Sequence, residues 1–160
     1  MVNGALDTLV HQALAPQRSR RYAPWLWLLL GLFAVRVVAQ PMALLVDARF
    51  LPPFESWHSG ALPYPALLAT QLLILAWLTR TAWQFTTGAV SPRRRFGILM
   101  LILGSVYFAA MLARFALGAT ILTGERWFAS PLPTFFHLVL ASFLLLCGHF
   151  HFRYGLKEPS

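Results

Sequence analysis

Residues 97–117 read GILMLILGSVYFAAMLARFAL, twenty-one consecutive positions carrying a single charge, Arg114. A helix that crosses a bilayer needs roughly 20 predominantly apolar residues, and this stretch supplies them. Three more runs of the same character flank it: Trp25 to Val46, Ala66 to Trp83, and Leu132 to Phe152. Four such runs in 160 residues leave too little polar chain to cover them as buried helices of a soluble domain. The expected fold is therefore an all-α integral membrane protein, a four-transmembrane-helix bundle.

Composition agrees. Hydrophobic residues make up 58% of the chain and charged residues 11%, where a soluble domain carries about a quarter charged. The mean hydropathy is +0.63 and the sequence pI about 11.1. A net charge of +8 in a polar protein would suggest nucleic acid. Here the charge falls between apolar runs, so the partner it implies is the bilayer surface and nucleic acid is excluded. Tryptophans and tyrosines near the run ends (Trp25, Trp27, Trp57, Tyr64, Trp83, Trp127, Tyr154) fit interfacial anchoring.

The thirteen basic residues set an orientation. Nine fall on one side of the four-span layout: Arg18, Arg20, Arg21, Arg80, Arg93, Arg94, Arg95, Arg153 and Lys157. The opposite loops hold Arg49 and Arg126, with Asp47, Glu55 and Glu125. By the positive-inside rule both termini are expected to be cytoplasmic. The expected organisation is an N-terminal segment over 1–23, a four-helix membrane domain over 24–154 and a cytoplasmic tail over 155–160. Leu6, Leu9, Val10, Ala13 and Leu14 recur at helical spacing before Pro16, which suits either a short interfacial helix or a frayed tail. A cleaved leader ending at Val37-Val38-Ala39 would be unusually long and would carry Arg36 beside the cut, so a retained span is expected.

The first outer loop, Asp47 to Pro65, carries Pro52, Pro53, Pro63 and Pro65 among Phe50, Phe54, Trp57 and Tyr64. That composition predicts a stiff, Pro/aromatic-rich loop lying on the outer interface rather than a solvated linker. Glu55-Ser56-Trp57 and Glu125-Arg126-Trp127 each precede two prolines, a faint internal echo that coincidence explains equally well.

Ionisable groups inside a span are costly and are functional candidates by default. Counting about 1.5 Å of rise per residue, Arg36 and Gln40 share a face of the first span, and Pro41 frees the carbonyl of Val37. Gln71 sits on the second span, Tyr107 and Arg114 on one face of the third, and His137 on the fourth. All six fall in the outer half, while the inner half is mostly Leu, Ile, Val and Phe. Two arginines with no acid in any span require a match. It comes either from Asp47, Glu55 or Glu125 folding inward, with Trp57 and His58 beside them, or from a ligand that accepts from guanidinium groups. Ser105, Ala109 and Ala113, at four-residue spacing, predict a face on which the third helix meets another closely.

Other chemistries lack their residues. Cys147 is the only cysteine, so there is no intramolecular disulfide, CxxC centre or multi-thiolate zinc site. His137 and His151 lie fourteen apart on one span, but the first three spans offer no histidine as a second axial ligand, which disfavours haem. No HxxxH or carboxylate-rich helix, nucleophile elbow, P-loop or Rossmann glycine pattern occurs, and no metal site is expected. His149 and His151 read as an interfacial edge beside Arg153.

Two function classes follow, and whether the protein is catalytic stays open between them. The first is a non-catalytic subunit or assembly factor of a membrane complex, with a membrane-protein partner or a second copy of itself. The alternative is a binder or enzyme acting on an amphipathic ligand, a lipid phosphate or a quinone, held by Arg36, Gln40, Gln71, Tyr107, Arg114 and His137. A transporter built on four spans would have to dimerise. No resident cofactor is expected, and a short, arginine-rich chain fits the bacterial inner membrane.

Overall fold

A computed structural model describes residues 16–45, 63–122, 124–125, 128 and 130–155. The leading segment through residue 15, most of the first outer loop and the tail from 156 lie outside the described residues. The architecture is all-helical: α1 (Ala23–Leu45), α2 (Tyr64–Thr87), α3 (Arg94–Thr120) and α4 (Pro131–Tyr154). Each is long and apolar enough to cross a membrane, and the protein is a multi-pass membrane protein.

Local chemistry sets the helix ends. Prolines occupy the first turn of α2 and of α4, where the missing N–H costs nothing. α2 runs four residues past the apolar stretch that ends at Trp83. Thr86 and Thr87 donate their hydroxyls to the carbonyls of Ala82 and Trp83 and so carry their own polarity along the helix. The stop is Gly88, which takes a left-handed φ of +80° and donates to the carbonyl of Gln84. α1 continues through Pro41 to Leu45.

The helices form an open row, α2–α1–α4–α3. α1 packs against α2 and α4, α3 packs along α4, and α2 and α3 make no close backbone approach to each other. The hydrophobic core belongs to the first three members of that row. Leu26, Leu30, Phe33 and Val37 of α1 meet Leu78, Ala82 and Phe85 of α2 and Val139, Phe143, Cys147 and Phe150 of α4. Phe85 and Phe150 stack edge-on, 4.8 Å between centroids, at its centre.

α3 contributes no side chain to that core; the residues it buries are Gly97, Gly104, Arg114 and Gly118. Three of these are glycines, at seven- and fourteen-residue intervals along one face. A Cβ on Gly97 would lie 2.3 Å from the backbone nitrogen of Phe152, and one on Gly148 of α4 would lie 2.9 Å from that of Leu101. The two helices therefore meet backbone to backbone, the route to tight association where lipid gives no hydrophobic driving force. Ser105, Ala109 and Ala113, expected to be that close-packed face, are exposed instead. The physical reason is size: the glycine row admits an approach that even an alanine methyl would block.

One end of the row is arginine-rich and well braced. Ser19, fully buried in the short helical stretch 16–20 before α1, reaches the carbonyls of Pro16 and Phe85 at 3.0 and 3.2 Å. Trp27 donates to the Thr86 hydroxyl at 2.9 Å. Arg18 lies over the Tyr154 ring and Arg94 over that of Phe152.

The glycine seam makes a paired prediction. Gly97→Ala should destabilise the protein by about 2 kcal/mol through overpacking. Gly31→Ala, where an added methyl meets nothing within 4 Å, should be neutral or stabilising by about 0.5 kcal/mol. Reversible unfolding in detergent measures both, and equal effects at the two sites would contradict a backbone-to-backbone seam.

Candidate functional site

Five of the six polar groups expected in the outer half are carried on the three adjacent helices α1, α4 and α3. Arg36 and Gln40 are one turn apart on α1, 5% and 0% exposed. On α4, consecutive residues face different neighbours. Phe136 turns to α1, its ring centroid 5.2 Å from the Arg36 guanidinium carbon. His137, about 100° further round the helix, turns to α3 and shares a hydrogen bond between its Nδ1 and the Tyr107 hydroxyl. Arg114, two turns beyond Tyr107, is 5% exposed. Both guanidinium groups lie close enough for their charges to act on Tyr107 and His137, and on each other.

The structure thus brings together Arg36, Tyr107, Arg114 and His137, with Gln40 one turn along from Arg36. Gln71 is buried on α2 at 4% exposure, its Oε1 with no hydrogen-bond donor among the described residues. Among the loop candidates, Glu125 is exposed in a turn closed by the Glu125 N–H to Leu122 and the Phe128 N–H to Glu125. It does not fold inward over the cluster. Asp47, Glu55, Trp57 and His58 lie outside the described residues. No group of three or more metal-ligating side chains occurs among the described residues.

Chemically, the cluster offers positive charge, a Tyr–His pair able to hold or pass a proton, and walls of hydrocarbon that strengthen each of these interactions. It is suited to grip an acceptor oxygen. It is equally suited to fix α3 against α4 at a level where the seam has no glycine.

The opposite, arginine-rich end holds polar residues that the sequence reading placed at a surface edge. His149 is exposed there, and its Nδ1 shares a hydrogen bond with the Tyr22 hydroxyl at 2.9 Å. Burial, aided by Tyr154, raises the Tyr22 hydroxyl above its ordinary value. His151 is buried, and its Nδ1 accepts from the backbone N–H of Arg93 at 3.2 Å. It lines a cleft of about 430 Å³ with Cys147, Arg93, Gln84 and Ser91. The four-residue spacing of Cys147 and His151 already put them on one helix face; nothing in the sequence placed a gap in front of that face. Comparison with protein-family models, curated proteins and solved structures finds no match to this chain.

The Tyr107–His137 bond can be weighed directly. A double-mutant cycle of Tyr107→Phe and His137→Phe, read by unfolding in detergent, should return a coupling of about 1 kcal/mol. A coupling indistinguishable from zero would mean the pair does not hold α3 to α4.

Proposed function

We propose that this protein is a non-catalytic subunit or assembly factor of a membrane complex. One observation carries the reading. α3 is flanked by α4 alone, and its opposite side exposes Ser105, Ala109 and Ala113 at four-residue spacing. That row admits a close-packed helix, and none of the described helices occupies it. Around it lie Ile98, Ile102, Val106 and Leu112, all exposed and apolar. Only 11% of the most apolar stretch of α3 is buried, against 44% for α4, so α3 has most of its surface left to offer. The occupant in this reading is a transmembrane helix of a partner protein or of a second copy of the chain.

In this proposal both termini are cytoplasmic, since the arginine-rich end gathers the start of α1, the end of α2, the start of α3 and the end of α4. The bacterial inner membrane fits a short, arginine-rich chain of this kind. A photoreactive residue at position 109 should give a discrete protein adduct in intact membranes. Ala113→Leu should lower its yield about tenfold while the protein stays folded. Adducts to lipid alone would contradict the reading.

A second reading, in which the polar cluster holds an amphipathic ligand such as a lipid phosphate or a quinone, draws on the Tyr107–His137 pair between two guanidinium groups. Arg36 and Arg114 would grip the head group and Gln40 would orient it. Here Arg36→Gln should leave a folded protein that no longer retains its small molecule on purification. A folded variant that retains every co-purifying molecule would sink this alternative.

A further inference from the structure

α2 and α3 are consecutive and joined by the short connection 88–93, an arrangement in which antiparallel helices ordinarily pack together. Here they diverge, and the space between them, floored by α4, is the cleft of about 430 Å³. Its lining is graded. Trp77, Met100 and Cys147 make the deep part apolar, while Gln84, Ser91, Arg93 and His151 make the end beneath the connection polar. Trp77 is ten residues from the end of α2, so the slot runs about 15 Å into the membrane.

His151 is the informative group. It is 8% exposed, and the rings of Phe85, Phe96 and Phe150 stand edge-on to it. Its Nδ1 is an acceptor, engaged by the Arg93 N–H, so a neutral ring carries its proton on Nε2. That Nε2–H is a donor on a ring that lines the cleft. The Arg93 side chain also lines the cleft, and its charge is felt at His151. Arg94 and Arg95 follow directly, at the N-terminus of α3, where no side chain caps the helix among the described residues.

The geometry points to a binding site for one anionic phospholipid between α2 and α3. Its phosphate oxygens accept from the Arg93 guanidinium, His151 Nε2–H and the Gln84 amide, and its acyl chain lies along Trp77 and Met100. Charge decides among amphiphiles. A quinone brings no negative charge to match Arg93, and a zwitterionic lipid sets a cation beside it. A partner's transmembrane helix would need a slot along the whole bundle, whereas this cleft occupies one end. None of its lining residues belongs to the Ser105–Ala109–Ala113 row, so this inference and the proposed function stand or fall separately.

The test is native mass spectrometry of the full chain, delipidated in detergent and titrated with phosphatidylglycerol or phosphatidylcholine. One phosphatidylglycerol should bind per chain, with about a tenfold preference over phosphatidylcholine. Arg93→Gln keeps the backbone N–H that holds His151, and should abolish that preference; Arg93→Lys should retain most of it. His151→Phe keeps a ring in the aromatic cage while removing the donor, and should weaken binding about fivefold. Arg20→Gln, at the same end but outside the cleft, should bind as the parent does. Equal affinity for the two lipids would overturn the site, as would an Arg20→Gln loss matching that of Arg93→Gln.

Discussion

The approach of α3 to α4 through Gly97, Gly104 and Gly148 is the contact on which the rest of the arrangement depends. In water, burying the leucines and isoleucines of α3 would drive its association; in lipid their burial gains almost nothing. What remains is shape, and the glycine row provides it by letting two backbones touch. Because the seam lies on a single face, α3 follows α4 and turns away from α1 and α2. The open row of helices, the exposed small-residue stripe and the cleft between α2 and α3 all follow from that one-sided attachment.

Polar residues lie where α3 meets or leaves the other helices. Toward the loop-rich end, Tyr107 and Arg114 meet His137 of α4 beside Arg36 of α1. At the arginine-rich end, Arg93 and Phe96 separate from α2 and frame the mouth of the cleft above His151. Each level carries a histidine whose ring is tied down through Nδ1, by a tyrosine hydroxyl in one case and a backbone N–H in the other. For His151 the backbone donor presets the tautomer and leaves Nε2–H for other work.

Much of this was legible in the sequence because bilayer physics is simple in one dimension. Span number follows from hydrocarbon thickness, and depth from helical rise. Depth counting was enough to place Arg36, Tyr107, Arg114 and His137 at compatible levels on three helices. Direction around the helix was harder to read. Ser105, Ala109 and Ala113 and the glycines at 97, 104 and 118 are both small-residue rows, and lipid-facing leucine looks the same as partner-facing leucine. The glycine row forms the seam because only glycine permits a 2.3 Å conflict with a neighbouring backbone to be avoided. His151 was misplaced for a related reason: its burial depends on Phe96 and the Arg93 backbone, which come from another helix and its cap.

The central claim is that α3 is carried by α4 alone, and disulfide trapping in native membranes tests it most directly. In a Cys147→Ser background, Gly104→Cys with Leu145→Cys places two thiols across the seam, where a Cβ at 104 meets chiefly the Leu145 side chain that the second substitution shortens. Thr81→Cys with Met100→Cys places them across the cleft between α2 and α3. A disulfide forms only where Cα atoms come within about 7 Å. The account predicts rapid intramolecular oxidation of the first pair and none of the second. Trapping of the Thr81–Met100 pair as readily as the seam pair would mean the bundle closes, and would contradict it.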